Sequence, residues 1–221
     1  MKVKNLIVKL STEIKQREIP LFRGAINAIL EEGHSILFHN HQDEGFRYSY
    51  PLIQYKRIDS KATIVCIQEG TDAIEKFLKG RQEGELQIGK RIVNYKIDNI
   101  LTQYQEIETS ENPQAYQIVQ WLPFNQKNYK IYREADNMYE KCKMLEKIAV
   151  GNIISMSKGI GYNIEDELYV KIYDIKGTNT TVFKGVKLMA FDIEVVTNIK
   201  LPNLWGIGNG VSHGYGIITN L

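Results

Sequence analysis

Leu52-Ile53-Gln54-Tyr55-Lys56-Arg57, the turn Asp59-Ser60, Thr63-Ile64-Val65-Cys66-Ile67 and then Glu69-Gly70-Thr71 form the stretch that decides the fold. Two runs rich in β-branched and aromatic residues flank a short polar turn, which predicts an antiparallel hairpin. Glu69-Gly70-Thr71 then predicts a helix over about 72–79, with Thr71 as N-cap and Gly80 as its end. Upstream, Val3, Leu6, Val8 and Leu10 alternate with lysines, so residues 2–10 read as a strand. Pro20 opens a helix, where its fixed φ and missing N–H cost nothing. Leu21, Ala25, Ala28 and Ile29 line one face, Gly33 is a C′ stop, and Ile36-Leu37-Phe38 reads as a short strand. Downstream, residues 85–105 read as strands with a turn at Gly89.

The order of this half is therefore β-α-β-β-α-β, the split βαβ or ferredoxin-like order. The polar segment Glu108-Thr109-Ser110-Glu111-Asn112-Pro113 breaks both periodicities and marks the boundary. Beyond it, Tyr116–Phe124 is strand-like. One long helical stripe then joins Ile131, Ala135, Met138, Cys142, Leu145 and Ala149, closed by Gly159 and Gly161. Strands over about Leu168–Asp174 and Lys184–Thr197 and the apolar Ile217-Ile218 complete the second half. The expectation is an α+β chain of two tandem ferredoxin-like (RRM-like) domains, 1–108 and 114–221. Each would be an antiparallel sheet with helices on one face.

With 43% hydrophobic and 24% charged residues, the 221-residue chain can bury a core and is not disordered. A net charge of +2 argues little for or against a nucleic-acid partner. After Glu194 no acidic residue follows, and Lys200 is the one Lys or Arg of that stretch. Cys66 and Cys142 stand far apart in apolar settings, so neither a disulfide framework nor a zinc ribbon is expected. No signal peptide or membrane-spanning run is read, and the cytoplasm is the expected location.

The chain holds four histidines, His34, His39, His41 and His213, three of them within eight residues. His39 and His41 are two apart, so in extended backbone they face the same side. Imidazole exchanges protons near neutral pH and can serve as base in one step and acid in another. Arg47, Tyr48 and Tyr50 follow closely and could orient a reacting group. RNA needs no more than this, because its own 2′-hydroxyl is the nucleophile. Two other readings stay open. His39, His41, Asp43 and Glu44 could ligate a metal, although four donors within six residues wrap poorly around one tetrahedral ion. The histidines could equally belong to a polar turn and satisfy local hydrogen bonds.

Trp205-Gly206-Ile207-Gly208-Asn209-Gly210-Val211-Ser212-His213-Gly214-Tyr215-Gly216-Ile217 carries five glycines in eleven residues. It is no dinucleotide fingerprint, because Val211 and His213 occupy the third glycine positions, and it is no P-loop. Dense glycine lets a backbone approach phosphate closely. Trp205, Ile207, Val211, Ile217 and Ile218 argue for an ordered loop over a flexible tail.

The chain resembles the CRISPR repeat-processing endoribonucleases, in particular the subgroup with a His-x-His motif in its N-terminal domain. The resemblance rests on Leu21-Phe22-Arg23-Gly24, on Leu37-Phe38-His39-Asn40-His41 with Phe46-Arg47-Tyr48-Ser49-Tyr50-Pro51-Leu52-Ile53-Gln54-Tyr55-Lys56, and on the glycine-rich C-terminus. It implies cleavage of CRISPR repeat RNA without metal or cofactor, by 2′-hydroxyl attack. The products would be a 2′,3′-cyclic phosphate and a 5′-hydroxyl. His39 and His41 would be the acid–base pair and Tyr48 an assisting group. Arg23, Arg47, Gly206, Gly208, Gly210, Ser212, His213, Gly214 and Gly216 would contact RNA. A homodimer and hand-over of the product to a CRISPR effector complex are further expectations; DNA and membranes are not expected partners. Some relatives place a lysine upstream of the paired histidines, near the end of the first helix, where this chain reads Leu30-Glu31-Glu32-Gly33. A non-catalytic repeat-RNA-binding protein of the same fold is the alternative.

Overall fold

The computed structural model describes residues 1–30, 41–42, 45–46, 50–79 and 81–221; of residues 30, 41, 42, 45, 46, 76 and 77 it describes the backbone alone. The chain forms two compact units. One comprises Lys2–Gln105 with Ser212–Gly214; the other comprises Met1, Glu106–Val211 and Tyr215–Leu221.

In the first unit, β1 (Lys2–Glu13) leads to α1 (Ile19–Leu30), and β2 (His41–Gln42) pairs with β3 (Gly45–Phe46). Then come β4 (Ile53–Ile58), β5 (Lys61–Ile67), α2 (Glu69–Leu78), β6 (Glu83–Ile88) and β7 (Arg91–Glu106). The sheet order is β4-β5-β1-β7-β6, the ferredoxin-like order with β6 added beyond β7. The hairpin predicted from the deciding stretch is present, with Ile53 opposite Cys66 and Ile58 opposite Lys61. Asp59 and Ser60 at its turn have φ of 49° and 67°, the pair of positive values a tight two-residue turn demands.

The alternation puts Leu6, Val8, Leu10, Ile53, Tyr55, Ala62, Ile64 and Cys66 on one sheet face. Phe22, Ala25 and Ile26 of α1 and Ile74 of α2 pack into the same core. Phe22 meets Tyr55 edge to face with ring centres 5.6 Å apart. The buried side of α1 is thus turned from the predicted one: Leu21 is 47% exposed. α2 begins at Glu69, earlier than predicted. Thr71 is not its N-cap but sits buried in the first turn, where its hydroxyl donates to the Gln68 carbonyl at 2.7 Å.

In the second unit, β8 (Glu108–Trp121), α3 (Gln126–Glu134), α4 (Met138–Gly159), β9 (Val170–Phe183), β10 (Val186–Lys200) and β11 (Ile217–Asn220) follow in order. The sheet order β11-β8-β10-β9 repeats that of the first unit. Glu108–Pro113, read from its polarity as a break, is strand: Glu108 pairs with Lys200 and Thr109 with Ile199. The single predicted helix is two. α3 stops at Glu134, and Asn137 caps α4 by accepting a hydrogen bond from the Glu140 amide at 2.9 Å. The predicted stripe fails at its start, where Ile131 and Met138 are exposed, and holds at its end, where α4 buries Leu145 and Ala149 and, beyond them, Ile153 and Met156. Cys66 is buried and Cys142 half-buried; both are free thiols. Among the described residues, no helix is long and apolar enough to cross a membrane.

Candidate functional site

His34, His39, Arg47 and Tyr48 lie outside the described residues. His41 is placed by its backbone in β2, paired with Phe46 of β3. Of the predicted residues, the structure brings together Arg23, Ser212 and His213. Arg23 stands on the second turn of α1, and Ser212 and His213 on a single 3₁₀ turn, Val211–His213. The Arg23 Nη1 lies 3.1 Å from His213 Nε2, and His213 Nδ1 lies 3.1 Å from Ser212 Oγ. A guanidinium has no acceptor, so it must donate and Nε2 must accept. The imidazole proton is then on Nδ1, which faces Ser212 Oγ. His213 thus fixes where the Arg23 charge sits.

The backbone around this trio is held by its own bonds. Gln16 Nε2 donates to the Gly214 carbonyl at 3.2 Å. Gly214 has φ +77°, and a Cβ there would come within 2.6 Å of Ile19 Cδ1. Tyr55, below α1, donates its hydroxyl to Asn27 Oδ1 at 3.1 Å, and burial holds its phenol pKa well above the ordinary value.

The remaining glycines answer first to the packing of the loop. Gly206 and Gly216 are buried and Gly208 and Gly210 half-buried. A Cβ at Gly216, where φ is +66°, would overlap the Ile207 carbonyl oxygen, and one at Gly208 would lie 2.8 Å from Trp121 Nε1. The Gly216 amide donates to the Gln120 carbonyl, the Ile207 amide to the Gly216 carbonyl, and the Asn209 amide to the Leu122 carbonyl. Gln120 is a bulge with φ +52°, and its own amide donates to Asp192 Oδ1 at 2.6 Å. Lys200, which the sequence leaves among uncharged neighbours, pairs with Glu106 at 2.6 Å.

One charged residue was not singled out from the sequence. Lys56 is fully buried on the face of the first sheet opposite the apolar core, beside Gln54 and opposite Thr63 in the register. Among the described residues its Nζ meets no hydrogen-bond partner. Burial alone pulls its pKa down from 10.5 to about 7. In the strand alternation Lys56 falls on the same side as the buried Gln54. Among the described residues, no three His, Cys, Asp or Glu side chains converge in a way that could hold a metal ion.

Residues 1–106 match the family model of the Cas6b N-terminal domain, and residues 108–221 that of the Cas6b C-terminal domain. A crystal structure of Cas6b superposes over the whole of both chains with a TM-score of 0.89 at 29% identity. A second structure, of a CRISPR RNA processing endoribonuclease Cas6b, does so at 0.77 and 25%. An uncharacterized protein of Methanocaldococcus jannaschii is 36% identical over 119 residues, which cover 53% of this chain and 80% of that protein. With both halves matched in order and the fold shared from end to end, the chain belongs to the Cas6b family.

Proposed function

We propose that the protein is an endoribonuclease that cuts CRISPR repeat RNA without a metal ion. The observation that carries the reading is that both Cas6b domains are present over the whole chain together with His39-Asn40-His41. In the proposed reaction one histidine takes the proton of the 2′-hydroxyl at the cut site. The oxygen attacks the adjacent phosphorus, and the P–O5′ bond breaks. The other histidine protonates the departing 5′-oxygen, leaving a 2′,3′-cyclic phosphate and a 5′-hydroxyl. Tyr48 assists at the phosphoryl oxygens. Arg23, held in place by His213, supplies positive charge toward the RNA together with Arg47, and Ser212 adds a hydroxyl. The glycines keep the loop that carries Ser212 and His213 in shape. The cleaved RNA passes to a CRISPR effector complex, and the protein works in the cytoplasm as a homodimer.

The absence of a lysine from Leu30-Glu31-Glu32-Gly33 favours one second reading, a repeat-RNA binder without turnover. One assay separates the two. The host's repeat RNA is incubated with excess EDTA and either the native protein or His39→Ala plus His41→Ala. Cutting by the native protein in EDTA, lost by at least ~10²-fold in the double variant, is the expected result. Native binding without cutting selects the second reading, and cutting abolished by EDTA removes the metal-free mechanism.

A further inference from the structure

The second unit holds a groove of about 700 Å³ between α3, α4 and the glycine-rich loop. That size lies in the range of sites that hold an organic ligand. Its walls contain Lys143 and Lys147 and no acidic residue. Lys143 is tied to Glu146 at 3.0 Å. Lys147, one turn along α4, has no ion-pair partner among the described residues and can take an anion. The N-terminal turn of α3 adds to the positive end, since Asn125 and Asn128 line the groove and that turn carries no acid. Ile131 and Ile148 give the groove apolar walls, and Ile131 is 47% exposed. Asn209 uses its side-chain N–H groups on the Leu122 and Phe124 carbonyls, which leaves its amide oxygen as an acceptor.

Gly151 is the most telling wall residue. It sits inside the 22-residue α4, where glycine weakens a helix. Among the described residues nothing lies within 4 Å of a Cβ built on it, so packing within the chain does not require it. The glycine there leaves space for something from outside. Cation, apolar wall, acceptor and empty space together match a nucleotide better than a bare anion.

We propose that this groove holds a single-stranded segment of the RNA substrate, with Lys147 on a phosphate and a base or ribose lying over Gly151 between Ile131 and Ile148. The proposal rests on the reading of the protein as an RNA-processing enzyme and extends its RNA surface from Asn209 of the glycine loop onto α4. The contact is one of backbone and shape, so it positions the RNA and does not read its sequence.

The test uses the full chain and a fluorescein-labelled repeat RNA of the host's array with a 2′-deoxy nucleotide at the cut site, titrated by anisotropy at several salt concentrations. Lys147→Gln is expected to weaken binding about fivefold and to lower the salt slope by about 0.7, the signature of one lost phosphate contact on a single strand. Gly151→Leu is expected to raise Tm, because leucine favours a helix, and yet to weaken binding at least ~3-fold by filling the groove. Loss of affinity in a stabilised protein cannot come from unfolding. Native-level binding by both variants overturns this proposal and leaves the enzymatic reading standing. Failure of the native protein to bind the RNA overturns both. Capture of a hexaglutamate peptide by the native protein, lost in Lys147→Gln while RNA affinity stays unchanged, overturns it in favour of an acidic protein partner.

Discussion

The two halves share a strand order and differ at the same point of it. In the first unit the chain between its third and last main strands forms the helix α2, packed through Ile74 onto the core. In the second, the corresponding stretch between β10 and β11 is the glycine-rich loop with one 3₁₀ turn. A helix satisfies its backbone groups within itself. The loop has to find partners elsewhere: Gln120 and Leu122 supply carbonyls for the Gly216 and Asn209 amides, and the Trp205 carbonyl accepts from the Ile218 amide of β11. Such close backbone approach admits few side chains. In return, Ser212 and His213 are presented on a short turn, a placement that a regular helix packed on the sheet would not give. The strongest test of this difference is Gly216→Val. A β-branched residue at φ +66° against the Ile207 carbonyl should cost about 4 kcal/mol or more, enough to leave the second unit unfolded in a thermal melt. A Tm within a few degrees of the native value would mean that the loop can be re-formed without its close contacts.

The halves differ as well in how their sheets treat buried polarity. The buried polar residue of the second sheet, Thr197, donates its hydroxyl to the Tyr169 carbonyl at 2.6 Å. The first sheet buries Lys56 with no partner for its Nζ among the described residues. With a folded pKa of about 7 against 10.5, the unfolded chain holds a proton between those values that the native chain lacks. Stability therefore rises with pH across that window. Below about 7 both states hold the proton, and the cost of burying the charge stands in full. Two pH units at about 1.4 kcal/mol each give a rise of ~3 kcal/mol between pH 7 and 9, below the range where the buried Cys66 thiol and Tyr55 phenol, both pushed up by burial, oppose it. Lys56→Met should remove the slope and raise stability at pH 7 by up to about that amount, measured by denaturant unfolding at each pH. A flat profile in the native protein would show that Lys56 is charged and paired, and the contrast between the sheets would disappear.

Much of this architecture is legible in the residues. Period-two alternation in 2–10, the Asp59-Ser60 turn and the glycine at 89 set the strands of the first unit, because each is a local signal. The break between α3 and α4 was also present, as Asn137 followed three residues later by Glu140. The apolar spacing running through Ala135 concealed it. β8 is longer than its apolar pattern predicts, because its first half is polar and mostly exposed, so neither alternation nor apolar content marks it. The site is less legible for a physical reason. His39 and His41 stand out by composition alone, whereas Arg23 and His213 are 190 residues apart and no periodicity couples them. The glycines announce an unusual backbone; whether that backbone faces a ligand or its own core is decided by Ile207, Trp121 and Ile19, residues with no special mark in the sequence.

The smallest expected effect tests whether the loop turn is as well defined as a helix would be. If Arg23 donates to His213 Nε2, the imidazole proton must reside on Nδ1 and the ring must be neutral. Long-range ¹⁵N correlation spectra should then show the Nδ1–H tautomer. Ser212→Ala should leave that tautomer in place and lower stability by only about 1 kcal/mol, the net worth of one hydrogen bond. An Nε2–H tautomer in the native protein would put two donors face to face, so Arg23 could not rest where it does. The Arg23 guanidinium would then not be positioned by His213.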